Sequence, residues 1–102
     1  STEKLYSPVQ PLPADGLNPK TPVIAIKSAD SFAVFSISGL FEEVDSDGFV
    51  QITVSGKPIT IEVDDSPMYA VARDASGEVI PSHRALWMNW HALYPKANLQ
   101  NP

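Results

Sequence analysis

The residue types best suited to chemistry lie together in one C-terminal stretch, Trp87–His91. Met88 brings a thioether and His91 an imidazole, at a spacing close to one turn of a helix. Both groups are ligands for soft copper, and Met68 and His83 would add two more if the fold brings them near. The pattern therefore allows a small copper-binding protein, with core packing as the alternative role for these side chains.

Side chains in and beside this stretch are also of the types that enrich protein interfaces. Trp87, Met88 and Tyr94 would form an anchor patch at the rim of a helix, unless they close the core of a small domain. An anchor patch predicts a non-enzymatic binding module that needs no cofactor. Its partner would be another protein or a second copy of the chain, because symmetric dimers are the commonest homo-oligomers.

Motifs for catalysis are scarce. The patterns G-x-S-x-G, H-E-x-x-H and G-x-G-x-x-G and the Walker sequence do not occur. An acid/base enzyme using His83 or His91 would need a serine and an aspartate that folding brings beside the histidine. The absence of cysteine excludes disulfides, thiolate zinc sites and cysteine nucleophiles. Catalysis therefore ranks third, behind a binding module and a copper protein.

The densest charged stretch holds four acidic residues, Glu42, Glu43, Asp45 and Asp47. Their carboxylates are of the type that binds calcium. Gly48, however, follows too early for the loop of an EF-hand, and no glutamate stands at the twelfth position. We therefore expect a solvated acidic turn.

Composition excludes several further classes of function. The 102 residues suffice for one domain, and 43% hydrophobic against 19% charged residues is a globular balance. Seven basic and twelve acidic side chains give a net charge of -5, without a basic cluster. Nucleic acid and anionic membrane surfaces are therefore not expected as partners. No apolar run approaches the ~18 residues of a membrane span, so none is predicted.

Proline divides the chain into an arm and a domain. Residues 1–21 hold Pro8, Pro11, Pro13 and Pro19, which fix φ and remove hydrogen-bond donors. This composition predicts an extended arm, either a simple tether or a segment lying across the domain or a neighbour. The apolar side chains available for such contact are Leu5, Tyr6, Val9, Leu12 and Leu17. Residues 22–102 are predicted to form a single domain.

Short β-branched runs between turn residues predict a series of hairpins. The predicted strands are Pro22–Lys27, Ser31–Ile37, Phe49–Val54, Lys57–Val63, Met68–Arg73 and Glu78–Ile80. A turn at Asp74–Gly77 is expected to pair Arg73 with Glu78. Ser38–Val44 is predicted to contain one helical turn.

The register of the central hairpin follows from its alternating pattern. Ser55 and Gly56 form a two-residue turn, so opposed residues have numbers that sum to 111. Ile52 is then opposite Ile59 and Val50 is opposite Ile61. A slip of one residue would place apolar side chains opposite polar ones, so this register is well specified.

One helix is predicted near the C-terminus. Ser82 is a suitable N-cap and Pro95 ends the pattern, which leaves ~13 residues with one apolar face. We expect Trp90 to be buried against the central hairpin, on the face of Val50, Ile52, Ile59 and Ile61. Lys96–Pro102 is expected to be a tail. Together the elements predict an α+β fold, with five or six mainly antiparallel strands in a small sheet or partial barrel and one C-terminal amphipathic helix.

The C-terminal segment resembles the closing Trp-x-x-Trp…Pro…Leu segment of a family of exported bacterial proteins of unknown function. The residues that carry the resemblance are Leu86–Pro95 and Leu99. Pro22–Ile26, Ala33–Ile37 and Leu40 are similar to that family's early strands. The resemblance implies an exported or periplasmic location, and it implies no activity.

Overall fold

Two larger sheets, a two-stranded sheet and two short helices form the α+β fold that the sequence predicts, and most of the strand pairing is antiparallel. The computed structural model describes residues 7–8, 10–11, 18–65 and 68–102. The elements are β1 (Ser7–Pro8), β2 (Gln10–Pro11), β3 (Pro22–Ser28), β4 (Ser31–Ser36), α1 (Ile37–Phe41), β5 (Phe49–Val54), β6 (Lys57–Asp65), β7 (Met68–Arg73), β8 (Ser82–Leu86), α2 (Trp87–Leu93) and β9 (Gln100–Asn101). Both sheets are open rather than closed into a barrel.

One sheet has the strand order β4-β3-β8. The predicted hairpin of β3 and β4 is confirmed, with Ser28 opposite Ser31 across a two-residue turn. Residues 23–26 of β3 are wholly buried, because both faces of this sheet are covered. An uninterrupted apolar run is typical of a strand buried on both faces.

The other sheet has the order β1-β5-β6-β7 and contains the central hairpin. Its predicted register is confirmed, since Ile52 pairs with Ile59 and Val50 with Ile61. Ser55 and Gly56 both have positive φ, at 51° and 77°. This combination defines the type I′ turn, whose twist suits a two-residue hairpin.

The main core lies between the two sheets, and α1 closes one end of it. Ile24, Phe35, Ile52 and Ile61 are among its buried side chains. The predicted helical turn is confirmed as α1. Its N-cap is Ser36, whose side-chain oxygen accepts a hydrogen bond from the Gly39 nitrogen at 3.0 Å.

A second core lies on the opposite face of the β4-β3-β8 sheet. It joins Val23, Ala25 and Val34 to Trp87, Trp90 and Leu99. Trp90 is buried, as expected, but the predicted packing against the central hairpin is wrong, because the β4-β3-β8 sheet lies between them. The predicted tail is also wrong, since Leu99 is 1% exposed and Gln100–Asn101 form β9.

The predicted helix start at Ser82 is wrong. Ser82–Leu86 is strand β8, and α2 begins at Trp87 with Leu86 as an N-cap residue without a side-chain hydrogen bond. Residues 23–26 of β3 need backbone partners on both sides, because unpaired peptide groups at buried positions are costly. β8 is one of those partners. Pairing with β3 therefore outweighs the helical propensity of Ser82–Leu86.

The turn after β7 takes one residue more than predicted. Arg73 pairs with Val79, so the expected pairing of Arg73 with Glu78 is wrong. Inside that pair, the Asp74 nitrogen donates to the Glu78 carbonyl at 2.9 Å and closes the loop. Gly77 has a positive φ, at 91°.

Two carboxylates organise the turns through hydrogen bonds. Oδ1 of Asp74 accepts from the Ser76 hydroxyl at 2.6 Å and from the nitrogens of Ser76 and Glu78. The Ser76 hydroxyl is the main cause that lowers the pKa of Asp74 below its ordinary value. In the predicted acidic turn, Oδ1 of Asp45 likewise accepts from the nitrogens of Asp47 and Phe49.

The backbone of the N-terminal arm is described in two places. Ser7–Pro8 runs parallel to β5, and Gln10–Pro11 pairs with β9 at Gln100–Asn101. The arm's predicted contact residues, Leu5, Tyr6, Val9, Leu12 and Leu17, lie outside the described residues.

Candidate binding cleft

An open cleft lies between the β3–β4 turn, the end of α2 and the loop that leads to β9. Its volume is about 750 Å³. Phe32, Trp90, Leu93 and Tyr94 form its apolar part. The polar side chains on its rim are Asp30, Ser31, Lys96, Asn98 and Gln100. We call this site the aromatic cleft.

Three aromatic rings in the cleft contact one another. Trp90 stacks on Tyr94, with ring centroids 4.5 Å apart and planes 28° apart. Phe32 meets Trp90 edge to face at 5.0 Å and lies 6.0 Å from Tyr94. These distances fall within the range that favours aromatic pairs, so the rings form a rigid platform.

Local structure explains why the rings meet. Tyr94 directly follows the last residue of α2, and its backbone nitrogen donates to the Trp90 carbonyl at 2.9 Å, which holds it one turn after Trp90. Phe32 alternates with Ala33 along β4, which places it on the sheet face that α2 covers. The end of α2 and the start of β4 therefore lie close together.

Among the described residues, the indole nitrogen of Trp90 is a donor without a hydrogen-bond partner, and the atom itself is wholly buried. The residue is only 5% exposed, although it lines the cleft. An unsatisfied buried donor costs ~1–3 kcal/mol, so native structures rarely retain one without a reason.

The outer part of the cleft is apolar and exposed. Leu93 is 74% exposed and Tyr94 is 45% exposed. The rim carries one carboxylate, Asp30, and one ammonium group, Lys96, so its charges balance. A cleft of this kind suits a ligand with apolar surface and no net charge.

The predicted anchor residues separate in the structure. Tyr94 lies in the aromatic cleft. Trp87 is buried in the second core, with its ring 5.1 Å from that of His91. Met88 is 46% exposed and is not among the described residues that line the cleft.

The predicted copper ligands are placed on different parts of the fold. His83 lies on β8, and its ring is 5.7 Å from Phe32 and 6.2 Å from Trp90. Met68 packs against the main core, and with His83 it borders a second groove beside β8. His91 contacts Trp87 instead, and neither it nor Met88 lines that groove within the described part of the chain. The copper site stays a prediction.

Both histidines lie against aromatic rings. His83 is beside Phe32 and Trp90, and His91 is beside Trp87. The described residues also contain no group of three or more His, Asp or Glu side chains arranged to hold a metal. The acid/base enzyme therefore gains no support from geometry.

Sequence reasoning missed Phe32 and Leu93 as cleft residues. Successive side chains of β4 point to opposite faces of its sheet, and this alternation indicates where Phe32 lies. Phe32 and Val34 share one face, and Ala33 and Phe35 share the other. Once β3 is recognised as buried on both faces, that alternation places Phe32 beneath a covering element. The exposure of Leu93 depends on the late start of α2, which the pattern did not reveal.

Comparison with family models, with curated proteins and with solved structures finds no match. Neither helix in the described residues has the length and apolar character needed to cross a membrane.

Proposed function

We propose that this protein is a non-enzymatic binding module that holds part of a protein partner in the aromatic cleft. The observation that carries the proposal is the apolar surface that Leu93 and Tyr94 expose in the cleft, beside the stacked ring of Trp90. Exposed apolar side chains gathered in one cleft favour ligand binding over a purely structural role.

The stacked rings support recognition rather than catalysis. Aromatic side chains provide contact area with few rotatable bonds, so little entropy is lost when a partner binds. Trp90 is held between Phe32 and Tyr94, so the surface is largely formed before binding. The resemblance of Leu86–Pro95 to exported bacterial proteins supports an exported location for the module.

Binding of decaproline, an uncharged peptide with apolar side chains, tests the proposal by isothermal titration calorimetry on the full chain. Decaproline is expected to bind. Leu93→Asp should abolish that binding, because it places a charge in the apolar part of the cleft.

Val79→Asp is the matched control. Val79 is also an exposed apolar residue, at 58%, and it does not line the cleft. Binding should survive in this variant. Failure of decaproline to bind, or equal loss of its binding in the two variants, would contradict the proposal.

A further inference from the structure

We propose that the outer edge of β8 is a second docking surface, which takes an extended segment of a partner protein with an acidic side chain opposite Arg84. β8 is an edge strand of the β4-β3-β8 sheet, and its partner within the described residues is β3. The groove beside β8 and the aromatic cleft share no lining residue in the described part of the chain. The two surfaces are therefore separate.

Two hydrogen bonds fix which residues of the β8 segment bond to β3. The Lys27 nitrogen donates to the Pro81 carbonyl at 3.0 Å, and the Trp87 nitrogen donates to the Thr21 carbonyl at 2.7 Å. In an antiparallel pair, residues that bond to the neighbouring strand alternate with residues that do not. The odd-numbered residues from 81 to 87 therefore direct their backbone groups to β3.

The even-numbered residues of β8 direct their backbone groups outward. His83 and Ala85 lie at positions bonded to β3, and Ser82 and Arg84 alternate with them. The N–H and C=O groups of Ser82 and Arg84 consequently point away from the sheet. Such an edge is a template for a further strand, and main-chain hydrogen bonds supply the affinity when a peptide strand is added.

The other edge of the same sheet is already covered by extended backbone. Leu99 forms a bridge with Val34 of β4, and β9 follows it. Gln10–Pro11 of the arm then pairs with β9. The chain thus covers the β4 edge with its own extended segments, and β8 is the strand at the opposite edge.

A groove of about 660 Å³ borders β8 and provides room for side chains of an added strand. All of β8 lines it, together with Ile37 of α1 and Met68 of β7. Arg84 is opposite Ile24, a main-core residue, so Arg84 lies on the main-core face of the sheet. Every second side chain of an added strand would lie on this face, where Ile37 and Met68 offer apolar contacts.

Arg84 decides the charge of the segment. Its side chain is exposed and lines the groove, and the described lining residues include no carboxylate. Opposite charges directly across two strands stabilise their pairing, and like charges destabilise it. A second copy of β8 in full antiparallel overlap would place Arg84 opposite Arg84. An acidic segment of another protein is therefore the better occupant.

The acetylated and amidated peptide Val-Thr-Glu-Thr-Val tests the proposal by NMR on the ¹⁵N-labelled full chain. Its glutamate would lie opposite Arg84 and its valines on the same face. With excess peptide, amide hydrogen exchange at Ser82 and Arg84 should slow several-fold, because their N–H groups gain partners. His83 and Ala85 are internal controls and should keep their rates. Absence of binding, or binding without slower exchange at Ser82 and Arg84, would overturn the proposal.

The same peptide with an N-methyl group on its glutamate isolates the backbone contribution. It keeps every side chain and charge but cannot donate a hydrogen bond to the Arg84 carbonyl. Its affinity should fall about tenfold, the value of one hydrogen bond. Equal affinity of the two peptides would overturn the proposal.

Arg84→Glu isolates the charge contribution. Affinity for the glutamate peptide should fall about tenfold, and a peptide with lysine in place of the glutamate should recover it. Lys57→Glu is the matched control, because it changes the net charge equally at an exposed residue that does not line the groove. Equal losses in the two variants would show an effect of net charge alone and overturn the proposal.

Two further measurements identify the occupant and separate this surface from the cleft. Sedimentation velocity without peptide should show no dimer formed through β8; a dimer that slows exchange at Ser82 and Arg84 would assign the edge to a second copy and overturn the proposal. Decaproline has no backbone N–H to pair with β8, so its binding in the aromatic cleft should leave these rates unchanged. Failure of the β8 proposal therefore leaves the proposed function standing, and the reverse also holds.

Discussion

Trp90 combines a structural role with the proposed binding role. Its ring packs in the second core with Val23, Val34 and Leu99, and it is 5% exposed. The same ring stacks on Tyr94 and meets Phe32 in the aromatic cleft. Trp90 therefore contributes both to stability and to the proposed binding surface.

Trp90→Ala is expected to lower the free energy of unfolding by ~3–5 kcal/mol, because it removes a large buried ring and leaves a cavity. Urea denaturation would measure the change. Leu93→Ala is the control, since Leu93 is largely exposed and its loss should cost no more than ~0.5 kcal/mol. Equal effects of the two substitutions would show that α2 does not cover a core.

Asp74 gives the fold a specific dependence on pH. Its pKa is lowered in the folded state, chiefly by the Ser76 hydroxyl, from an ordinary value of 3.8. The ionised carboxylate therefore stabilises the fold above about pH 4, and this contribution is lost as the pH falls through the folded-state pKa. Asp74→Asn should reduce stability at pH 7, and its difference from the natural chain should narrow near pH 3. Urea midpoints measured at both pH values would test this, and a constant difference would contradict it.

At the scale of elements, the β5–β6 hairpin depends on its turn. Gly56 has φ of 77°, and a Cβ there would meet no atom within 4 Å. Gly56→Val should therefore destabilise the protein through backbone conformation alone, by ~1–2 kcal/mol. Lys57→Val, at the next exposed position, should have little effect. Thermal unfolding of both variants would test the difference, and equal melting temperatures would refute the strain argument.

Local pairing could be predicted from the sequence, whereas the choice of sheet face could not. The hairpin register was correct, because the period of two and a two-residue turn leave one good alignment. The pattern of Ser82–Leu86 predicts a helix, because nothing in its composition indicates that β3 needs a backbone partner there. Pairing with β3 determines the structure of this segment, because its local preference is weak.

The candidate site was only partly predictable for the same reason. Tyr94 was among the predicted binding residues, since its type and position beside the tryptophans mark it. Phe32 lies far from it in the sequence, and only the fold brings the two rings within 6.0 Å. Leu99 also gave no signal, because a single apolar residue in a polar segment has no periodicity.

At the scale of the whole molecule, the β4-β3-β8 sheet is the centre of the architecture. The main core lies on one face, and the second core with α2 lies on the other. α2 is therefore an outer layer, and its exposed end is available to a partner. This placement is the reason that the proposed binding surface lies at the helix end rather than along the central hairpin.

The copper alternative makes a distinct prediction for the whole chain. A ligand that binds only the folded state raises the melting temperature as its concentration rises. Under the proposed function, added Cu(I) should leave the melting temperature unchanged. A rise that depends on Cu(I) concentration and disappears in His91→Ala would instead favour the copper protein.

Intermolecular nuclear Overhauser effects between decaproline and the full chain test the central claim most directly. The account predicts contacts from the proline rings to the aromatic protons of Phe32, Trp90 and Tyr94. Contacts confined to Met88 and His91, or to β8, would place the binding surface elsewhere and contradict the account.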